Sequence, residues 1–81
     1  MSDPPHLRFE TSLLGRDEAG EPRLVVWVRR FAGDEELTGR YEVFADLERL
    51  DAFIAQTERA GHDAAALHQA RPGFAAALAA G

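Results

Sequence analysis

The chain is predicted to fold as an α+β domain. The expected architecture is a three-stranded antiparallel β-meander followed by an amphipathic helix packed on one face, plus a short C-terminal helical segment. Three observations predict it. Residues 6–14 and 37–44 alternate side-chain character with period two. Leu24-Val25-Val26-Trp27-Val28 is β-branched and aromatic and has no helical spacing. Residues 47–60 carry apolar side chains at helical spacing between Asp46 and Gly61.

Strand one is expected over His6 to Leu14, with Leu7, Phe9, Thr11 and Leu13 on one face and His6, Arg8, Glu10 and Ser12 on the other. Gly15 to Pro22 reads as a charged loop, and Pro22 removes a ladder donor just before strand two. Strand two, Arg23 to Ala32, is apolar on both sides. Leu24, Val26 and Val28 share one face; Val25, Trp27 and Phe31 share the other with Arg29. Such a strand is expected to be covered on both sides.

Gly33-Asp34-Glu35-Glu36 reads as a hairpin turn into strand three, with Tyr41 and Val43 against Arg40, Glu42 and Phe44 and with Gly39 suggesting a bulge or a frayed edge. Asp46 is expected to cap a helix over 47–60, with Glu48 near its positive end, Arg59 near its negative end and Gly61 as a left-handed stop. Leu47, Leu50, Phe53, Ile54 and Thr57 form its apolar stripe. The predicted core joins that stripe to Leu7, Phe9, Leu13, Leu24, Val26, Val28, Tyr41 and Val43. After Gly61, Asp63 is expected to cap a short helix through Ala70, which Pro72-Gly73 interrupts. Phe74 to Ala80 then forms a mobile or docking end.

At 81 residues the chain is expected to be one domain, 1–81, with residues 1–5 a flexible N-terminus and 72–81 the mobile or docking segment. Its 46% hydrophobic and 28% charged composition supplies a core. A domain this short nevertheless buries only about 60–65% of its unfolded surface, so an oligomeric partner would add stability. No cysteine occurs, which removes disulfides, thiolate metal sites and cysteine nucleophiles. Met1-Ser2-Asp3-Pro4-Pro5 is acidic and carries no apolar stretch, and the weakly apolar run 74–80 is far shorter than the roughly 20 residues a bilayer helix needs. The expectation is a cytoplasmic protein without membrane contact.

Net charge is −5, and the basic residues are arginines scattered along the chain, with only Arg29-Arg30 adjacent. Phosphate backbones are bound by clustered cations, so no nucleic-acid role is expected. His62 and His68 are six apart and cannot share a helix face as metal ligands. Glu10 and Glu42 are placed with Arg8 and Arg40 on one sheet face, where cross-strand ion pairing explains them better than acid/base chemistry. No nucleophile elbow or phosphate loop is present, so neither an enzyme nor a cofactor is expected.

What remains is a surface. Val25, Trp27 and Phe31 are expected on the sheet face opposite the helix, joined by Phe44 and Leu14, with Arg8, Glu10, Arg29, Arg40 and Glu42 around them. An aromatic centre inside a charged rim is the anatomy of a protein interface. Either the C-terminal segment, through Leu67, Phe74 and Leu78, covers that face, or a second copy does. The function expected is a non-catalytic protein–protein interaction module, homodimeric through the Trp27 face or a free sheet edge. The alternative is an acidic inhibitor of the immunity or antitoxin kind. It would meet a basic partner protein through Asp17, Glu18 and Glu21, through Asp34, Glu35 and Glu36, and through Glu48 and Asp51.

Overall fold

A computed structural model describes residues 5–14 and 20–80. The expectations for residues 1–4, and for Asp17 and Glu18, lie outside the described residues. The fold is α+β: β1 (Pro5–Leu14), β2 (Arg23–Ala32), β3 (Glu35–Phe44), α1 (Leu47–Arg59) and α2 (Ala65–Ala80). The strands form one antiparallel sheet in the order β1-β2-β3, the expected meander. β1 takes in Pro5, which was expected in the flexible N-terminus.

Both helices lie on one face. Leu24, Val26, Val28 and Phe44 from the sheet pack with Leu50 and Ile54 of α1 and Leu67 and Phe74 of α2. Leu7, Phe9, Leu47, Phe53 and Leu78 pack around them. α1 is bounded as the sequence predicts. The Asp46 carboxylate accepts from the Arg49 N–H at 2.8 Å, the N-cap bond that satisfies an orphan donor. At the other end Gly61, at φ 86°, allows its N–H to reach Glu58 O and that of His62 to reach Thr57 O. These two bonds are a Schellman closure.

The faces of β3 are the reverse of those expected. The hairpin closes with Ala32 opposite Glu35 and Phe31 opposite Glu36. Carried on unbroken, that register would set Val26 against Tyr41 and Leu24 against Val43, putting both in the core. Instead one residue, Leu37, is extra between the Phe31–Glu36 and Arg30–Thr38 pairs. A one-residue bulge turns every later side chain to the opposite face. Phe44 therefore pairs with Leu24 and is only 3% exposed, while Tyr41 (66%) and Val43 (54%) stand outward. The irregularity is thus at Leu37 and not at Gly39.

The tail also differs from expectation. Asp63 does accept from the Ala65 N–H, at 2.9 Å, but α2 then runs unbroken through Pro72 and Gly73 to Ala80. Proline has no N–H to offer the His68 carbonyl and its ring crowds that turn. The burial of Leu67 and Phe74, both fully enclosed, outweighs this local cost. No helix is long and apolar enough to cross a membrane among the described residues.

Candidate functional site

With α1 and α2 on the same side, the opposite sheet face carries no described element. Alternation along the three strands fixes who stands on it. Glu10 is opposite Trp27, and Trp27 is opposite Tyr41. Arg8 is opposite Arg29 and Gly39 lies beyond it, while Ser12, Val25 and Val43 form the next row. His6 and Phe31 form the row nearest the hairpin.

The side chains make a continuous ladder. The rings of Trp27 and Tyr41 stack with centroids 5.7 Å apart at 18°. The Arg29 guanidinium lies 4.4 Å from the Trp27 ring centroid and 5.2 Å from that of Phe31. Arg8 sits 4.9 Å from the other side of the row at Phe31, and His6 stacks on Phe31 at 5.6 Å. Cation–π and stacking contacts of this kind each contribute about 0.5–1.5 kcal/mol. Covered by His6, Arg8 and Arg29, Phe31 is buried even though it points away from the helices.

Electrostatics lock the ladder from both edges. Arg29 donates from Nε to Glu36 and from Nη1 to Glu10, the latter at 3.3 Å. These contacts raise the Arg29 pKa above its ordinary value, the hydrogen bond it donates to Glu36 first and outweighing the opposing desolvation. The fixed cation is therefore neutralised within the chain. Gly39 makes room for the indole, since a Cβ there would come within 2.8 Å of Trp27 Nε1. An aromatic ring lying over a strand glycine shields its otherwise bare backbone. Beside the ladder is an open depression of about 230 Å³ lined by Glu10, Ser12, Val25, Trp27 and Tyr41.

Of the residues singled out from sequence, Val25, Trp27, Arg29, Phe31 and Arg8 come together on this face. Phe44 and Arg40 do not: the Leu37 bulge puts both on the helix side, where Phe44 meets Phe53 at 5.3 Å between ring centroids. Arg40 there pairs with Glu42 at 3.0 Å. Glu10 and Glu42 accordingly lie on opposite faces. Tyr41 and Val43 take the places assigned to Phe44 and Arg40. The two-residue link Ala45-Asp46 was the available signal, because a strand entering a helix so abruptly must point its last apolar residue toward that helix.

The acidic set does not converge. Asp34, Glu35 and Glu36 sit at the β2–β3 turn, whereas Glu48 and Asp51 sit on the first turns of α1, which starts from the Phe44 end of β3, and Glu21 lies just before β2. Ten strand residues span about 33 Å. Three of the six described members are already engaged: Glu21 by Arg23 at 3.7 Å, Glu36 by Arg29, and Asp51 by Arg71, whose Nε and Nη2 donate to its two oxygens at 2.6 and 3.0 Å.

Chemistry elsewhere is sparse. Among the described residues no group of three or more His, Asp or Glu side chains is placed to hold a metal. His68 Nε2 lies 3.4 Å from Glu58, and the Thr57 hydroxyl donates to Phe53 O at 2.8 Å. Comparison with known proteins matched no family model, no curated protein and no solved structure.

Proposed function

We propose that this chain is a non-catalytic protein–protein interaction module that works as a homodimer, two copies meeting through the Trp27 face of the sheet. The observation that carries this reading is the outward strip of Val25, Trp27, Tyr41 and Val43 on a sheet face that no described element covers.

Area supports a second copy as the occupant. A folded monomer of 8.9 kDa exposes about 4,800 Å² by the usual scaling. This chain exposes 5505 Å², about 700 Å² more than that scaling gives, so it is more open than a closed monomer of its size. Charge supports it too. Glu10 and Glu36 neutralise Arg29 at the centre, so two copies of the strip meet without like-charge repulsion. Trp27 is midway along the central strand, so a two-fold axis near it repeats every contact and packs the sheets face to face. The acidic-inhibitor reading has no comparable support, since its carboxylates lie at opposite ends of the sheet.

Light scattering across a dilution series, at low and at high salt, tests the proposal. The expected result is a dimer whose dissociation hardly changes with salt, because the interface is aromatic and apolar. Trp27→Glu and Val43→Glu should each give a folded monomer; Val43 is 54% exposed and lies outside the core cluster, so the second variant keeps the test clear of unfolding. A wild-type monomer at all concentrations sinks the dimer. A dimer that survives both variants transfers the contact to a free sheet edge.

A further inference from the structure

α1 is shorter than the sheet it covers. Thirteen helical residues span about 20 Å against about 33 Å for a ten-residue strand. The helix runs back from the Phe44 end and stops where His62 joins Val28 and Arg40. Beyond it, on the helix side and toward the β2–β3 hairpin, lies a cavity of about 370 Å³ whose lining includes Leu7, Val28, Arg30, Thr38, Arg40 and His62. A second depression of about 220 Å³ shares Leu7, Val28, Arg40 and His62 and extends the floor to Phe53.

The charge of this cavity is unlike that of the chain. In a protein of net charge −5, its lining holds Arg30, Arg40 and His62 and no carboxylate, while the His6 ring turns to the other face and stacks on Phe31. Arg30 has no ion pair or hydrogen bond among the described residues, and Arg40 shares its charge only with Glu42 outside the lining. Register brings the donors together. Arg30 is directly opposite Thr38, and Arg40 is opposite Val28, one same-face step along β2. Diagonal neighbours of this kind lie about 7–8 Å apart, within reach of two arginine side chains closing on one ion.

We propose that this cavity binds a small molecule bearing a phosphate group. Two guanidinium forks, an imidazole and a hydroxyl supply more donors than the two oxygens of a carboxylate accept, and they match the three terminal oxygens of a phosphate. Leu7, Val28 and Phe53 form an apolar floor on which an organic body would lie. The site is on the opposite side of the sheet from the Trp27 face, so it stands whether the chain is a dimer or a monomer.

The test is an NMR titration of the isotope-labelled full chain at low ionic strength with inorganic phosphate and with phenyl phosphate, chloride serving as the ionic control. Saturable shifts are expected at Arg30, Thr38, Arg40 and His62 with the phosphates and not with chloride. Arg30→Gln and Arg40→Gln, both at exposed positions, should each weaken binding by at least about tenfold. Tighter binding of phenyl phosphate than of inorganic phosphate identifies an organic phosphate as the ligand; equal binding identifies the free ion. The proposal is overturned if neither phosphate gives saturable shifts, if chloride gives the same shifts, or if both variants bind as the wild type does.

Discussion

Trp27 and Gly39 are built for each other: the indole Nε1 occupies the position that a side chain on residue 39 would need, 2.8 Å from its Cβ. The contact lies where β2 and β3 pair, two residues along β3 from the direct opposition of Trp27 and Tyr41. It holds the indole beside residue 39, with the Arg29 guanidinium 4.4 Å from the ring centroid and Tyr41 stacked at 5.7 Å.

Gly39→Ala should therefore displace the indole. Overpacking costs about 1–3 kcal/mol and the loss of glycine freedom returns about 0.4–1 kcal/mol, leaving a net loss of about 1 kcal/mol. Trp27, the one tryptophan in the chain, reports it by fluorescence, and its emission should shift to the red. An unchanged spectrum with unchanged urea stability would show that the ring does not lie over Gly39.

Acid should loosen the junction between the helices. The hydrogen bonds from Arg71 are the main cause that holds the Asp51 carboxyl below its ordinary value of 3.8. A depressed carboxyl contributes stability that is present above its unfolded pKa and is lost as pH falls below 3.8 and through the lower folded value. Urea midpoints measured down through that window should fall less steeply in Asp51→Asn than in the wild type. Identical acid limbs would rule this linkage out.

Pro72 burdens α2 with a missing hydrogen bond and a crowded turn. Its ring is exposed, so Pro72→Ala forfeits no buried packing. Stability should rise by about 1–3 kcal/mol, read as a higher melting temperature. A lower melting temperature would mean that the helix depends on the proline.

Phe74 should be the most costly truncation in α2. It is fully enclosed between the helices and the sheet. Phe74→Ala should lose about 3–5 kcal/mol, a large share of the 5–15 kcal/mol typical of a whole domain. Leu78, only partly buried at the edge of the same cluster, should cost much less when truncated. Equal losses at the two positions would contradict this packing.

Much of the fold was legible because local signals agreed with one another. β1 alternates cleanly, β2 is a β-branched and aromatic run without helical spacing, and Asp46 and Gly61 bracket α1 with chemistry suited to each end. Two features were not legible, each for a physical reason. The Leu37 bulge leaves the alternation of β3 intact while reversing its faces, so periodicity alone sees the strand but not which side is inward. Pro72-Gly73 is a strong local breaker, and only the tertiary burial of Phe74 carries the helix through it. The candidate surface inherits the first error directly: Trp27, Val25, Arg29, Phe31 and Arg8 were placed from β1 and β2, whereas Tyr41 and Val43 depended on β3. Gly39 was noticed as an anomaly in a strand, but its reason lay across the ladder in Trp27.

The packing of α2 against β1, where Gly73 comes close to Leu13, joins the last element of the chain to the first. The sheet pairings and the contacts of α1 with β3 and α2 connect neighbours in sequence and can form early, each closing only a short loop. The α2–β1 contact must instead close nearly the whole polypeptide, so it belongs to the final stage of assembly. Backbone amides of α2 should exchange with solvent ahead of those in the central strand, and a nascent chain would hold its sheet before it acquires the clasp that seals its core.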